Sequence, residues 1–240
     1  MHNEKHRGVP HCASRVENCS LKIYLVRHGE SAWNVKHIYT GQQDVSLSER
    51  GALQAERVAE KFAGIDLQAI YASPLKRAHD TARPTARWKD IPLRLDARLA
   101  EIHHGAWEGN PAAVIREQYA DEYRAWRTQP HRMKMPEGES LADVSFRVQS
   151  FLQDSLNAHH DGNILIVTHD AVLRVIILQT LQMSLEFFWR WRFDNASVSM
   201  VEWVGTEPGS VPTHGEFRLA LLNDVHHLIG VYTNCDAQAL

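Results

Sequence analysis

Two short apolar runs in this chain each end in a histidine. Leu21–Val26 runs into Arg27-His28-Gly29, and Ile164–Val167 runs into Thr168-His169. Both runs are brief, and the first holds the strong β formers Ile23, Tyr24 and Val26, so both read as buried strands. Residues 48–63 place Ala52, Ala55, Val58, Ala59 and Phe62 on one helical stripe, with Ser48 as the N-cap. "LQAIYASP" reads as a short strand stopped by Pro74, a helix follows over 75–88, and "PLRLD" reads as another strand. Residues 111–128 are polar and aromatic, and predict one or two helices standing off the sheet. Ser140 and Asp143 form an S-x-x-D capping box that opens a helix over 140–158. The segment 171–181 is apolar nearly all round, which predicts a buried helix. "ASVSMVEWV" and "FRLALLND" read as late strands separated by a Gly/Pro loop at 205–215.

Strands alternating with helices argue an α/β, three-layer sandwich: a mostly parallel central sheet with helices on both faces. The last two strands fit an antiparallel edge. No linker divides residues 21–228, so they read as one domain with a helical excursion at about 105–138. Residues 1–20 read as a poorly ordered polar leader without the apolar centre of a signal peptide, and 229–240 as a short tail.

Composition then narrows the function. The net charge is −3, so no basic excess points to nucleic acid or to an anionic membrane. No apolar run approaches the roughly 20 residues of a membrane helix. Cys12, Cys19 and Cys235 are too few for a disulfide framework, which suits a reducing cytoplasm. The 15 histidines include adjacent pairs at 103–104, 159–160 and 226–227, but neighbours do not share a helix face, and no ligand spacing such as HExxH occurs. Neither a metal site nor a cofactor is expected.

The chemistry gathers where strands give way to loops, the end at which open α/β sheets bind ligands. Arg27 and His28 follow the first strand. Arg77 lies in the first turn of the helix after Ser73-Pro74. Glu101 and His104 follow the third strand, and His169 the fourth. Two arginines offer planar, permanently charged forks for a phosphate dianion. A neutral imidazole can attack phosphorus, and a carboxylic acid can protonate the leaving oxygen and then activate water. Singly, each has a plainer reading. The arginines could be surface ion-pair partners, His28 a core histidine, Glu101 a solvated loop acid, and Trp107 and Trp126 packing residues.

Taken together, "LVRHGESAWN", "LSERG", "ASPLKRAHDTA", "LAEIHHGAWEG", "PEGESLADV" and "IVTHDAVLR" resemble the histidine phosphatase superfamily, the phosphoglycerate mutase-like proteins, over residues 21–228. The resemblance implies that His28 is the nucleophile that becomes phosphohistidine. It implies that Arg27, Arg77 and His169 hold phosphoryl oxygens with help from Asn34, and that Glu101 is the acid and then the base. Thr40 and Gly41 match the family's substrate loop, and Glu108 fits its "WEG" signature. His103 has no assigned role. No metal is implied. One departure stands out. Many members carry glycine after the second histidine, where this chain has Asp170. Such an acid suits a helix N-terminus but would repel a phosphate, so it is expected to turn away, to orient His169 or to meet a substrate amine.

Mutases of the superfamily carry "ERHYG" after the acid and a long insertion before "ESL". This chain has "EIHHG" and only residues 102–136 before Glu137, which favours a phosphatase, although Thr40-Gly41 is mutase-like. Within the phosphatases, "EIHHG", "WRTQPHRMKMPEGESLADV", "FDNASVS" and "LNDVHHL" are most similar to metal-independent phosphoserine phosphatases. That resemblance makes His104 a reader of the substrate carboxylate and lets His227 close the pocket. A different ester (a sugar phosphate, phosphoglycerate or ribazole phosphate) and a non-catalytic phosphate-binding protein are the rival readings. The expected partner is a small phosphate ester, and the apolar helix and edge strands permit a homodimer.

Overall fold

A computed structural model describes residues 20–205 and 215–233. The chain runs β1 (Ser20–Arg27), α1 (Ala32–Val35), α2 (Glu49–Phe62), β2 (Ala69–Ala72), α3 (Lys76–Lys89) and β3 (Leu93–Leu95). After the excursion helices α4 (Ala112–Gln118) and α5 (Ala120–Thr128) come α6 (Leu141–Ala158), β4 (Gly162–Thr168), α7 (Asp170–Thr180), β5 (Val198–Gly205) and β6 (Gly215–Asp224). The strands form one sheet in the order β3-β2-β4-β1-β5-β6. β1, β2, β3 and β4 are parallel, while β5 and β6 run antiparallel at one edge, as expected.

Strand alternation builds the layers. Leu21, Ile23 and Leu25 of β1, with Ile164 and Ile166 of β4, face α6, α7 and the excursion. Val26, Leu165 and Val167 point the other way, against Val58 and Phe62 of α2 and Ala78 and Ala82 of α3. β4 is buried on both faces over Ile164–Thr168, the continuous apolar run that a central parallel strand requires, while β1 exposes Lys22 and is buried on both faces only over Leu25–Arg27. Burying each such side chain is worth roughly 1.5–3 kcal/mol, so the register Val26↔Val167, Arg27↔Thr168 is strongly enforced. That register sets the two histidines next to one another just past the strand ends.

Local signals hold where the chain supplies its own partners. Ser48 caps α2 by accepting from the Gly51 amide at 3.0 Å, and Ser140 and Asp143 form the expected reciprocal box on α6. The α2 stripe differs by one position: Ala52 is exposed, while Gly51 and Gln54 are buried. The helix turns its first two turns toward the loop after β1. There the Glu30 amide donates to Gln54 Oε1 at 2.8 Å, and a Cβ on Gly51 would sit 2.0 Å from the Glu30 carbonyl.

The segment read as a tail beyond residue 228 is attached to the domain as far as Thr233. Gln54 Nε2 donates to the Val231 carbonyl at 2.9 Å, the Thr233 hydroxyl to Glu30 Oε2 at 2.9 Å, and the Tyr232 hydroxyl to Asp194 Oδ2 at 3.2 Å. The remainder of the tail, the leader up to Cys19 and the interior of the 205–215 loop lie outside the described residues.

Candidate active site

The loop after β1 is held by backbone. The His28 amide donates to the Thr168 carbonyl at 2.9 Å, tying the loop to β4. His28 Nδ1 lies 2.7 Å from the Gly29 carbonyl, which can only accept. The proton is therefore on Nδ1, and Nε2 carries the lone pair that can act as base or nucleophile. Burial, then the charges of Arg77 and Arg27, hold this imidazole well below its usual pKa. It is neutral across the physiological range.

Arg77, on the first turn of α3, spreads its fork between the histidine and a loop. Nε donates to His28 Nε2 at 3.3 Å, Nη1 to the Gln43 carbonyl at 3.0 Å, and Nη2 to the Gly41 carbonyl at 2.7 Å. Burial lowers its pKa to about 10, which still leaves it charged at pH 7. Thr81, one turn further along α3, donates to the Arg77 carbonyl at 2.7 Å and accepts from the Gly29 amide at 2.9 Å. Helix and nucleophile loop are thus locked to each other. Arg27 is also buried and donates from Nη1 to the Phe193 carbonyl at 2.7 Å.

His169 caps α7, fully buried, with its ring centroid 5.1 Å from that of His28. Its Nε2 shares a hydrogen bond with Ser73 Oγ at 2.8 Å, and burial holds it neutral as well. Asp170 does turn away, but to neither expected partner: Arg174 Nε donates to its Oδ2 at 2.6 Å. The i, i+4 spacing on α7 brings the pair together, and both side chains are buried.

Glu101, the expected acid, is buried. One oxygen accepts from the Ile102 amide at 2.9 Å. Burial outweighs that bond and the nearby Arg77, and pushes the carboxyl up to about 7. Arg147 steadies the segment from behind, donating to the Glu101 carbonyl at 3.1 Å and to both oxygens of Glu139. Glu108, of the "WEG" signature, is committed to structure. Its Oε1 accepts from the Gln42 and His104 amides at 2.9 and 3.0 Å, and its Oε2 from Gln43 Nε2 at 3.0 Å. Gly41 makes that clasp possible. It sits at φ +50°, and a Cβ would lie 2.0 Å from Glu108 Oε1.

The wall beside the acid is aromatic. His104 is 2% exposed, lies edge-on to Tyr39 at 5.1 Å and to Trp126 at 6.3 Å, and burial lowers its pKa to about 3. Neither ring nitrogen has a hydrogen-bond partner. Trp107 and Trp126 are buried packing residues, and His103 is 42% exposed with Nε2 at 3.7 Å from Glu108 Oε1. Asn34 stands in the capping box of α1. Its Oδ1 accepts from the Ser31 amide and hydroxyl, which leaves its NH₂ to donate outward. Thr40 bonds the Ile38 carbonyl at 3.3 Å.

His227 is placed differently from the rest. Its Nε2 donates to the Ala196 carbonyl at 3.0 Å, and Lys61, Asp224 and His226 act on it electrostatically. The geometry makes it a brace for the 194–197 loop. The residues missed from sequence are braces of the same kind: Ser73, Thr81, Gln54, Glu139 and the Phe193 carbonyl. Among the described residues no group of His, Cys, Asp and Glu could hold a metal ion, and no helix is long and apolar enough to cross a membrane.

Comparison with known proteins agrees with this geometry. Residues 23–213 match the family model of the histidine phosphatase superfamily, branch 1. Phosphoserine phosphatase 1 of Hydrogenobacter thermophilus is 38% identical over 75% of this chain and 86% of its own. The adenosylcobalamin/alpha-ribazole phosphatase of Escherichia coli is 29% identical over 76% and 90%. The solved structure of Bacillus stearothermophilus YhfR superposes with a TM-score of 0.78 at 32% identity, covering 87% of this chain and 99% of that one. Two neutral histidines, two buried arginines and a protonatable glutamate at the carboxyl ends of parallel strands thus meet an independent match over most of the sequence: the chain belongs to the histidine phosphatase superfamily and is a phosphatase.

Proposed function

We propose that this phosphatase hydrolyses a small phosphate ester whose leaving group carries a carboxylate, with phosphoserine the first candidate, through a phosphohistidine on His28. His28 Nε2 attacks phosphorus in line and the P–O bond to the leaving group breaks. Glu101 gives its proton to the departing oxygen. Arg27, Arg77, His169 and Asn34 hold the equatorial oxygens as charge develops. Glu101, now ionised, takes a proton from water as water attacks the phosphohistidine, and phosphate leaves with His28 neutral again. Thr40 and Gly41 shape the substrate loop. Nothing in this cycle calls for nucleic acid, a membrane or a cofactor. A cytoplasmic place and a homodimer remain part of the proposal, resting on the sparse cysteines and the edge strands.

One observation carries the substrate class. His104 is a buried imidazole beside the acid with both nitrogens unpartnered. A buried polar group without a partner is costly, and a carboxylate accepting from its N–H would relieve that cost. The test is phosphate release from L-phosphoserine, phosphoglycerate, a sugar phosphate and ribazole phosphate, with chelator present. Release fastest from phosphoserine, abolished in His28→Ala, is expected. In His104→Leu the preference for carboxylate-bearing esters should fall about tenfold. Equal rates on all four esters would overturn the substrate class. Transfer between the carbons of phosphoglycerate without release would overturn hydrolysis as the outcome.

A further inference from the structure

A carboxylate stands where a phosphate site should want none. Asp170 follows His169 directly and is fully buried. Its Oδ2 is taken by Arg174 Nε, while its Oδ1 has no hydrogen-bond partner and lies 4.0 Å from Arg27 Nη1. Arg174 continues outward, donating from Nη1 to the carbonyls of Phe188 and Trp191 and lying 5.3 Å and 5.0 Å from the ring centres of Phe188 and Trp189. Arg27 donates to the Phe193 carbonyl in the same segment. One short stretch, residues 188–193, therefore receives both guanidinium groups, and Asp170 stands between them as their shared counter-charge.

Packing alone does not ask for this arrangement. An N-terminal acid on a helix is satisfied by amides or by water, and a charge buried without a full set of partners is unfavourable. What the carboxylate changes is the field at Arg27. In a desolvated site a charge 4 Å away acts strongly. Arg27 with Asp170 behind it attracts an anion less than Arg27 alone. We propose that Asp170 is a positioning residue that moderates the grip of Arg27 on phosphate and so speeds release of the product. Substrate and product both carry the phosphoryl group, so the moderation is shared. It matters most for inorganic phosphate, which has no leaving group to be expelled. Glu101 lies within the same field, and Asp170 adds to the burial that keeps that acid protonated. The inference rests only on Arg27 binding phosphate, not on the identity of the leaving group.

Two variants move the quantity in opposite directions. Asp170→Asn keeps an acceptor for Arg174 and removes the charge, and Arg174→Gln leaves Asp170 facing Arg27 with no second cation. Binding of inorganic phosphate by titration calorimetry, without any ester, reads the effect independently of turnover. Asp170→Asn is expected to bind phosphate roughly tenfold tighter, with phosphate the stronger product inhibitor, and Arg174→Gln to bind it several-fold weaker. A gain in affinity cannot come from a damaged fold. Phosphate affinity unchanged or lowered in Asp170→Asn would overturn the proposal. So would tighter binding in Arg174→Gln, which serves alone should the first variant fail to fold. Inactivity of the wild type on every ester, with phosphate still bound, would instead strike the catalytic reading.

Discussion

The phosphate end and the leaving-group end of this site are built on different principles. At the phosphate end nearly every side chain is tied to a backbone atom: His28 to the Gly29 carbonyl, Arg77 to the Gly41 and Gln43 carbonyls, Arg27 to that of Phe193. Backbone bonds pin the loops on either side of the nucleophile, the His28 amide to the Thr168 carbonyl and the Ala196 amide to the Arg27 carbonyl, and these hold the cations and the nucleophile in place. At the leaving-group end the wall is Tyr39, His104 and Trp126, touching through ring edges, and His104 has no polar partner. In the proposed cycle, chemistry common to all phosphate esters sits on the rigid frame, and discrimination among them falls to this aromatic wall, where one side chain can change without moving the frame.

Breaking the rigid end should have the largest effect, and on every ester alike. Arg77→Ala removes a phosphate cation, the donor to His28 Nε2 and two ties to the 41–43 loop. kcat/KM should fall on the order of 10³-fold for all substrates, measured as initial rates across the ester panel. A loss confined to one ester would show that Arg77 belongs to discrimination instead. Glu101 stands at the junction of the two ends, and Glu101→Gln should cost on the order of 10². Its pH profile is the sharper reading. The acid works protonated, and its pKa of about 7 means that wild-type kcat/KM declines as pH rises through 7. That decline should be missing from the variant, and the loss should be smaller for an ester of a low-pKa phenol, a good leaving group that departs without a proton.

The same division explains what was legible in the chain. His28, His169 and Arg77 could be picked out because each directly follows or opens a regular element, and Glu101 because it lies in the loop after β3; the apolar pattern places those boundaries. The partners that aim them could not. Thr81 and Ser73 read as ordinary helix and loop residues, and the Phe193 carbonyl has no side-chain signature at all. Ala52 fitted the apolar stripe of α2, yet burial went to Gly51 and Gln54 because the Glu30 backbone docks there. Residues beyond Leu228 read only as a short tail, since their ties to Glu30 and Gln54 cross nearly the whole length of the sequence. His227 carried a motif of the right kind and bonds Ala196 instead. Long-range backbone contacts decided each case, and a local pattern does not encode them.

Both ends share a cost in acid. His28, His104 and His169 are buried and neutral, each with its pKa lowered chiefly by burial. Below the ordinary histidine value of 6.5 the unfolded chain binds those protons and the native state does not, so stability falls as pH falls. Glu101 acts oppositely: its raised pKa makes the native state hold a proton between 4.5 and about 7 that the unfolded chain releases. These three imidazoles, joined by His227, whose pKa burial lowers to about 4, outweigh one carboxyl. Urea melts at pH 7.5 and 5.5 should differ by roughly 3 kcal/mol, the more acidic sample being less stable. Equal midpoints would mean that several of these histidines are charged in the native protein.

The smallest effect tests the comparison most directly. If His104 is kept for selection and not for the fold, it should be a liability in the free enzyme. Its imidazole is buried with two polar nitrogens unpaired, among rings that would accept an apolar side chain of similar size. Replacing such a group by a hydrocarbon removes a desolvation cost and keeps the contacts. His104→Leu should therefore raise unfolding free energy by about 1 kcal/mol in denaturant melts without substrate, and also reduce the acid sensitivity. No comparable gain is open to His28 or His169, whose nitrogens bond Gly29 and Ser73 and would leave those groups unmatched. A destabilised His104→Leu would place this histidine with the frame and erase the distinction between the two ends. A stabilised variant that has lost its preference among esters would show stability given up at one residue for the sake of choice.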